Sequence, residues 1–273
     1  MADKPILSIC IPTYNRLRYL RELLGCLLPQ LDDLPVGTVS LFVRSNYSTD
    51  GTNEYCRAIN RSYFAFDVNE RNIGGDRNIF TCCREADGEW VWLLGDDELL
   101  EPNGVRRTLD ILASLNPTLL IFTEEKELRS SCYQDYRTAV ASERMKPADF
   151  VLHNTLISRN VFKKSVFDFE FAERMMQSSF AHMFGIMKNL GSNPVSVASG
   201  VLIVRDVRPG FAEYPTGLCW RMARYLGYTS RLYGIKGTFG RQFRLWINLP
   251  LEFGSRIKQF LLGVLKVKRV ARV

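Results

Sequence analysis

The sequence predicts an α/β protein with a mostly parallel central sheet flanked by helices and a helical basic appendage at its C-terminal end. Three observations lead to this prediction. Short apolar runs alternate with stretches of helical periodicity through the first 125 residues. The 273 residues are 46% hydrophobic and 24% charged, which is typical of a globular protein and not of a disordered one. Positive charge is concentrated near the C-terminal end.

Each predicted element has its own boundary signal. The strands are short apolar runs at 6–11, 39–43, 64–68, 90–94 and 119–122. The helices are 16–28, a segment from about residue 53 capped by Thr49 or Asp50, 74–86, 105–115 and, later in the chain, 178–190. The first helix is expected to end at Pro29, because proline lacks the amide hydrogen that a helix interior needs.

Polar clusters follow three of the predicted strands directly. They are Pro12-Thr13-Tyr14-Asn15, Arg44-Ser45-Asn46 and Gly95-Asp96-Asp97. In parallel α/β sheets, ligands bind beyond the carboxyl ends of the strands. The three clusters are therefore expected to meet in one crevice, while the more mixed pattern after residue 124 suits a half that binds a second substrate.

Asp96, Asp97 and Glu98 form an acidic cluster immediately after an apolar strand. Three adjacent carboxylates repel one another, and a divalent cation removes that cost. Oxygen ligands favour Mg²⁺ or Mn²⁺, which bind one or two carboxylates together with substrate phosphates. The alternative is a solvated acidic turn in which Asp96 caps a helix.

A glycine-containing loop from Asn72 to Asn78 adds a second indication of phosphate binding. Gly74 and Gly75 let the backbone approach a ligand at a helix N-terminus, and Arg77 is placed to face a phosphate or a base. The dinucleotide-binding and P-loop glycine patterns are both missing, which argues against dehydrogenases and P-loop NTPases. Seven scattered cysteines and two histidines argue against a thiolate or histidine metal site.

Four segments together resemble family 2 glycosyltransferases: 9–15, 48–52, 72–78 and 92–98. The resemblance covers about residues 5–125. It implies the GT-A fold, a nucleotide-diphospho-sugar donor and inversion at the anomeric carbon. The Leu-Gly-Asp-Asp sequence at 94–97 is most similar to abequosyltransferase-like bacterial enzymes of O-antigen and capsule synthesis.

The resemblance also implies roles for individual residues. The nucleotide pocket is lined by Pro12, Thr13, Tyr14 and Asn15, and the loop at the base contains Asn46 and Asp50. Asp76 and Arg77 close over the nucleotide. Asp96 lies by the ribose and phosphate and is a candidate catalytic residue, while Asp97 is the main ligand of Mn²⁺ or Mg²⁺, with Asp96 beside it.

Two positions depart from the family pattern. Ser45 stands where an aspartate beside the base is usual; it can hydrogen-bond a base edge without charge, so uridine specificity is open and Arg44 could favour another base. The helix at 178–190, where an acidic general base is expected, contains no acid but has His182. His182 is therefore a candidate base or simply a packed histidine; Glu173, Glu170 and Asp149 are further candidates, and loss of activity is also open.

The last part of the chain differs from the rest in charge. Residues 231–273 contain ten basic residues and one acid, whereas the first 230 residues have a net charge of −2. Phe253, Ile257 and Phe260 share one helical face and Arg256 and Lys258 lie off it, as in an interfacial amphipathic helix. The pattern favours contact with an anionic inner-membrane surface, with no nucleic acid expected as a partner. A helix docked on its own catalytic domain and a nucleic-acid-binding protein are the alternatives.

These observations combine into one functional hypothesis. Residues 1–230 form a GT-A domain, with a nucleotide-sugar half at about 1–125 and an acceptor half at about 126–230, and residues 231–273 form a membrane-associating tail. The resemblance implies a lipid-linked, polyprenyl diphosphate acceptor for the sugar. The N-terminal residues show no signal-peptide pattern, so a cytoplasmic, peripheral membrane location is expected. The alternative is a catalytically inactive GT-A domain that acts as a membrane-recruited assembly partner.

Overall fold

The structure, a computed structural model, describes residues 4–123, 128–203 and 216–235. The chain divides into two compact units, residues 1–208 and 209–273. The strands described are β1 (Leu7–Thr13), β2 (Val39–Ser45), β3 (Phe64–Val68), β4 (Trp90–Leu93), β5 (Leu99–Leu100), β6 (Leu119–Thr123), β7 (Ser130–Tyr133), β8 (Asn160–Lys163), β9 (Val195–Ser199) and β10 (Leu202–Ile203).

The helices described are α1 (Leu17–Asp32), α2 (Thr52–Arg57), α3 (Gly75–Glu85), α4 (Gly104–Leu115), α5 (Tyr136–Ser142), α6 (Pro147–His153), α7 (Phe169–Arg174), α8 (Ala181–Leu190) and α9 (Thr216–Tyr233). The expected strand and helix alternation is confirmed for the first 123 residues, with end points that differ by only a few residues. The helix α9 belongs to the second unit. The proposed basic tail lies, from residue 236 onward, outside the described residues.

Eight strands form one sheet in the order β3-β2-β1-β4-β8-β6-β9-β7. The strands β1 to β4 pair in parallel, and β6 pairs in parallel with β9. The direction reverses at β8, which is antiparallel to both β4 and β6. The mostly parallel α/β fold predicted from the sequence is therefore confirmed, and the reversal brings the segment before β8 beside the carboxyl end of β4.

The helix α1 runs through Pro29 and ends at Asp32, so the predicted end at residue 28 is wrong. Its leucine face continues beyond the proline, with Leu27 and Leu31 both buried in the core. Burial of a leucine contributes about 1.5–3 kcal/mol, which is comparable to the cost of proline in a helix. Packing against the sheet thus outweighs the boundary signal in the sequence.

No helix among the described residues is long and apolar enough to cross a membrane.

Candidate active site

A cleft of about 390 Å³ opens at the carboxyl ends of β1, β2 and β4. Members of all three polar clusters identified in the sequence line it. The lining residues are Pro12, Thr13, Tyr14, Arg16, Asn46, Gly75, Asn78, Ile79, Gly95, Asp96, Asp97, Glu98, Leu156, Ile157 and Ser158. The parallel pairing of β1 with its two neighbours places these loops at one edge of the sheet, as the alternation of elements predicted.

The floor of the cleft is a pair of adjacent carboxylates. Asp96 is only 5% exposed; its Oδ2 accepts a 2.8 Å hydrogen bond from Thr13 Oγ1. Arg16 Nη1 donates to Asp96 Oδ1 at 2.9 Å and to Asp97 Oδ2 at 2.8 Å. Burial raises the pKa of Asp96 above its ordinary value, although Arg16 and Thr13 oppose the shift. Two carboxylate oxygens thus converge on a single point.

Ser158 holds the loop that carries these carboxylates. Its Oγ accepts a 2.8 Å hydrogen bond from the Gly95 amide, and its carbonyl accepts one from Trp92 Nε1 at the same distance. A Cβ atom at position 95 would lie 3.1 Å from Asp97 Oδ1 and 3.2 Å from Ser158 Oγ, so a larger residue would crowd the carboxylate. Ser158 lies two residues before β8, whose antiparallel pairing with β4 explains its position.

Asparagine side chains organise the loop after β2. Asn46 Oδ1 accepts from the Ile73 amide at 2.9 Å and from Asn69 Nδ2 at 3.0 Å, and Asn46 Nδ2 donates to Asn72 Oδ1 at 2.8 Å. Asn69 also donates to Asn78 Oδ1 at 2.8 Å. This network ties the predicted base loop to the start of α3, and two of its members, Asn46 and Asn78, line the cleft.

Ser45 and Arg44 lie outside the cleft lining. Ser45 is fully buried, and its Oγ accepts a 3.1 Å hydrogen bond from the Ser48 amide. The Arg44 guanidinium forms ion pairs with Asp67 at 2.7 Å and Glu85 at 3.0 Å. In this structure both side chains support the loop through these contacts, and their role in base selection stays a prediction.

Asn15 and Asp50 connect the first two loops of the site. Asn15 Oδ1 accepts from the Thr49 amide at 2.8 Å, and Asp50 Oδ2 accepts from the Leu17 amide at 2.8 Å. Asp50 Oδ1 also accepts from the amide and the hydroxyl of Thr52. Burial by itself would raise the pKa of Asp50, but these hydrogen bonds hold it below its ordinary value. Neither residue lines the cleft, so their contribution here is to fix the loops.

The beginning of α3 contacts the segment that joins α7 to α8. Asp76 Oδ2 accepts a 2.8 Å hydrogen bond from the Ser179 amide, and Arg77 Nη1 lies 3.6 Å from Glu173 Oε1. Glu173 is exposed, with 58% of its side-chain area accessible. Glu173 itself is not among the residues that line the cleft, but these contacts tie it to α3, whose first residue, Gly75, does line it.

The other candidate bases are placed differently. His182 is 3% exposed within α8 and is not among the residues that line the cleft. Burial lowers its pKa to about 4, against a smaller opposing effect of the Thr155 backbone. Glu170 is highly exposed and pairs with Arg174 on α7, and Asp149 lies in the first turn of α6; neither lines the cleft.

Sequence reasoning missed three residues of the site. Arg16 was assigned only to the start of a helix, although a cation directly after a polar strand end is a detectable signal. Asn78 was noted within the glycine loop without a role. Ser158 has no sequence signal, because it reaches the site through an antiparallel strand pairing distant in the chain.

The mostly parallel sheet, the two-carboxylate loop after β4 and the asparagine-tied loop after β2 fit the GT-A fold that the sequence resemblance implies. The Glycosyl transferase family 2 model matches residues 8–171, more than half of the chain. The chain belongs to this family, and the resemblance detected in the sequence is confirmed.

Two curated relatives match parts of the chain. The abequosyltransferase RfbV of Salmonella typhimurium is 35% identical over 102 residues, which is 35% of this chain and 29% of the relative. The poly(ribitol-phosphate) beta-N-acetylglucosaminyltransferase TarS of Staphylococcus aureus is 30% identical over 97 residues, 34% of this chain and 16% of TarS. The matched regions thus span less than a third of either relative.

Solved structures support the same fold. S. aureus TarS 1-349 in complex with UDP-GlcNAc superposes with a TM-score of 0.66 at 15% identity, covering 90% of this chain and 76% of that one. The mannosyltransferase PcManGT from Pyrobaculum calidifontis, in complex with GDP-Man and Mn²⁺, superposes with a TM-score of 0.56 at 14% identity, covering 84% and 65%. At these identities the superpositions show the GT-A fold alone.

Proposed function

We propose that this protein transfers a sugar from a nucleoside-diphosphate sugar to a hydroxyl of a lipid-linked oligosaccharide, with inversion of the anomeric carbon, in the synthesis of a bacterial surface polysaccharide. The observation that carries the proposal is the Asp96–Asp97 pair at the carboxyl end of β4. It lies in the cleft with Tyr14 and Asn46, in the part of the chain that matches the family.

Asp96 and Asp97 are proposed to hold Mn²⁺ or Mg²⁺. Asp96 Oδ1 and Asp97 Oδ2 both lie within 2.9 Å of Arg16 Nη1. The two oxygens thus converge on one position, as a hard cation requires. When bound, such a cation supplies Lewis-acid neutralisation of the diphosphate leaving group. Among the described residues no third acidic, histidine or cysteine side chain joins the pair, so phosphate oxygens and water would complete the coordination.

Glu173 is proposed as the general base. The acceptor oxygen attacks the anomeric carbon as the bond from that carbon to the diphosphate oxygen breaks, and the hydroxyl proton passes to the base. Glu173 is an exposed carboxylate beside Arg77, which lies in the helical turn of α3 that begins with the cleft residue Gly75. His182, by contrast, is buried and neutral at pH 7, which supports a packing role for it.

Donor binding can be tested by thermal stabilisation with UDP, GDP, CDP and dTDP, each with and without Mn²⁺. A ligand that binds only the folded state raises the melting temperature by mass action. We expect one nucleotide to stabilise the wild type in a Mn²⁺-dependent manner. Asp97→Asn should lose the Mn²⁺-dependent part, and Asp110→Asn on the exposed face of α4 should behave as wild type. If no nucleotide stabilised the wild type, the inactive-domain alternative would be favoured.

A membrane-associating role is proposed for residues 231–273. The proposal depends on their sequence, since residues 236–273 lie outside those described. Their net charge is +9, and each basic residue near an anionic membrane contributes about 1 kcal/mol. The protein should co-sediment with vesicles containing anionic lipid, and a variant ending at residue 240 should remain in the supernatant. Equal sedimentation of both proteins, or salt-sensitive binding to nucleic acid alone, would contradict the proposal.

A further inference from the structure

One cation of this protein already occupies the point where the two carboxylates converge. Arg16 Nη1 donates to Asp96 at 2.9 Å and to Asp97 at 2.8 Å. The two carboxylates are shielded, with 7% and 16% of their side-chain areas exposed, whereas Arg16 retains 40%. Arg16 therefore enters the pair from the solvent side of the cleft.

The local structure explains how Arg16 reaches this position. It is the residue before α1, with non-helical backbone angles of φ −135° and ψ 37°. Asp50 fixes the beginning of that helix by accepting from the Leu17 amide. The backbone is thus held, whereas every contact described for the side chain is made by its guanidinium, whose central carbon lies 5.5 Å from the centre of the Tyr19 ring. Such a side chain can leave the carboxylates without unfolding the helix.

We propose that Arg16 is an internal counter-ion that competes with the divalent cation for Asp96 and Asp97 and is displaced when the metal and the diphosphate bind together. This inference rests on the proposed function. Without Arg16, two shielded carboxylates would repel each other in the empty enzyme. With Arg16 in place their combined charge is −1, so the protein alone offers a diphosphate a net repulsion at this point.

Two outcomes are conceivable: the metal displaces Arg16, or Arg16 permanently takes the place of the metal. The charges favour displacement. A divalent cation neutralises the carboxylate pair completely, whereas one guanidinium does not. Once displaced, Arg16 lies at the rim of the same cleft with its charge available to phosphate oxygens, for which arginine is well suited. The exchange therefore links metal binding to donor binding. The free enzyme has a low affinity for the metal, and the bound nucleotide raises that affinity.

The test measures Mn²⁺ binding directly, by the electron paramagnetic resonance signal of free Mn²⁺ in the absence of nucleotide. Arg16→Met should bind Mn²⁺ about tenfold more tightly than the wild type, since the competing charge is gone. Arg16→Lys keeps a positive charge but has a shorter side chain that cannot bridge Asp96 and Asp97 in the same way. Its Mn²⁺ affinity should therefore lie between those of the wild type and Arg16→Met. Arg18→Met is the matched control, because Arg18 is exposed on α1 and pairs only with Glu22 among the contacts described, and it should match the wild type.

Addition of the nucleoside diphosphate provides the second readout. It should raise the Mn²⁺ affinity of the wild type more than that of Arg16→Met, because only the wild type has a counter-ion to displace. Equal or weaker Mn²⁺ binding by Arg16→Met than by the wild type would overturn the exchange, provided that the melting curve of the variant shows a folded protein. If Arg16→Met does not fold, the same comparison is made with Arg16→Lys. A nucleotide that binds without Mn²⁺ in every variant would also overturn the exchange, while leaving the proposed transferase function in place.

Discussion

The donor side of the cleft, or donor wall, is stabilised differently from α7 and the segment that joins it to α8, which we call the facing wall. On the donor side, side-chain hydrogen bonds link Asn46, Asn69 and Asn78, which lie in two loops and the first turn of α3. The facing wall does not line the cleft; it contacts α3 through the hydrogen bond from the Ser179 amide to Asp76. Non-glycine residues with left-handed backbone occur in both regions, among them Tyr47 at φ 67° and Ser179 at φ 63°. The difference between the two regions is therefore the asparagine network of the donor side.

This difference indicates a division of tasks. A hydrogen-bond network that is complete before the ligand arrives is suited to binding the nucleotide, which is the part that all donors of one nucleotide class share. The facing wall carries Glu173, the proposed general base, beside Arg77 of α3. Its left-handed residue Ser179 is held by the hydrogen bond from its amide to Asp76. We therefore expect changes on the donor wall to affect nucleotide binding and changes on the facing wall to affect transfer.

The largest effect is expected from Asp97→Asn on the donor side. The substitution removes one of two converging carboxylates, so both Mn²⁺-dependent nucleotide binding and sugar transfer should fall, transfer by about 1,000-fold or more if metal neutralisation contributes at least 4 kcal/mol. Release of nucleoside diphosphate measures transfer, and Asp110→Asn controls for the loss of a negative charge. Full activity with an unchanged metal requirement would exclude Asp97 as the metal ligand.

A smaller effect, of a different kind, is expected from Glu173→Gln on the facing wall. Loss of a general base lowers the rate by about 100-fold or more while nucleotide binding stays intact. Glu170→Gln is a matched control on the same helix, since Glu170 is exposed and is paired with Arg174 at 3.8 Å. If both variants had equal rates, the base would have to be sought elsewhere. If Glu173→Gln lost nucleotide binding, the proposed division between the walls would be wrong.

The donor wall could be predicted from the sequence far better than the facing wall. Its strands are short apolar runs that end in polar clusters, and parallel pairing brings those ends to one edge, so Thr13, Asn46 and Asp97 could be grouped without coordinates. The facing wall is built from distant segments. The contact of Glu173 with Arg77 spans almost a hundred residues, for which no local pattern exists. Ser158, in the cleft lining itself, likewise reaches the site through an antiparallel pairing of segments distant in the chain.

Burial is the other property that the sequence pattern did not reveal. His182 and Glu173 were both candidate bases from their chemistry. The structure buries the His182 side chain within α8 and exposes the Glu173 side chain on α7. Equally, the sequence position of Ser45 indicated a hydroxyl able to bond a base edge, but not that this hydroxyl is buried and accepts from the Ser48 amide. Residue type indicates what a side chain can do, but only packing determines which groups meet solvent and ligand.

His182, buried in α8, gives a pH-dependent prediction about stability. Its folded-state pKa is about 4, below the ordinary value of 6.5, so the unfolded chain binds more protons between these values. The free energy of unfolding should therefore be highest above pH 6.5 and fall as the pH is lowered toward 4, by about 2 kcal/mol between pH 7.5 and pH 5. Urea denaturation at both pH values measures this. His182→Leu should remove about that much of the fall, and an unchanged fall would show that His182 is accessible to protons in the folded state.

The smallest effect is expected at Ser158, which lines the cleft beside the loop of Asp96 and Asp97 on the donor side. Ser158→Ala removes the acceptor of the buried Gly95 amide, which costs about 1 kcal/mol of stability when no other partner replaces it. The loop that carries Asp96 and Asp97 would also lose a fixed point, so Mn²⁺-dependent nucleotide binding should weaken together with stability.

Ser114→Ala is the control for this prediction. Ser114 is exposed on α4 and, within the described part of the chain, bonds only to its own helix, so the change in stability should stay within about 0.5 kcal/mol. Urea denaturation and nucleotide titration of both variants would show whether Ser158 tunes the loop of Asp96 and Asp97, since a loss of stability without a loss of binding would limit Ser158 to a structural role.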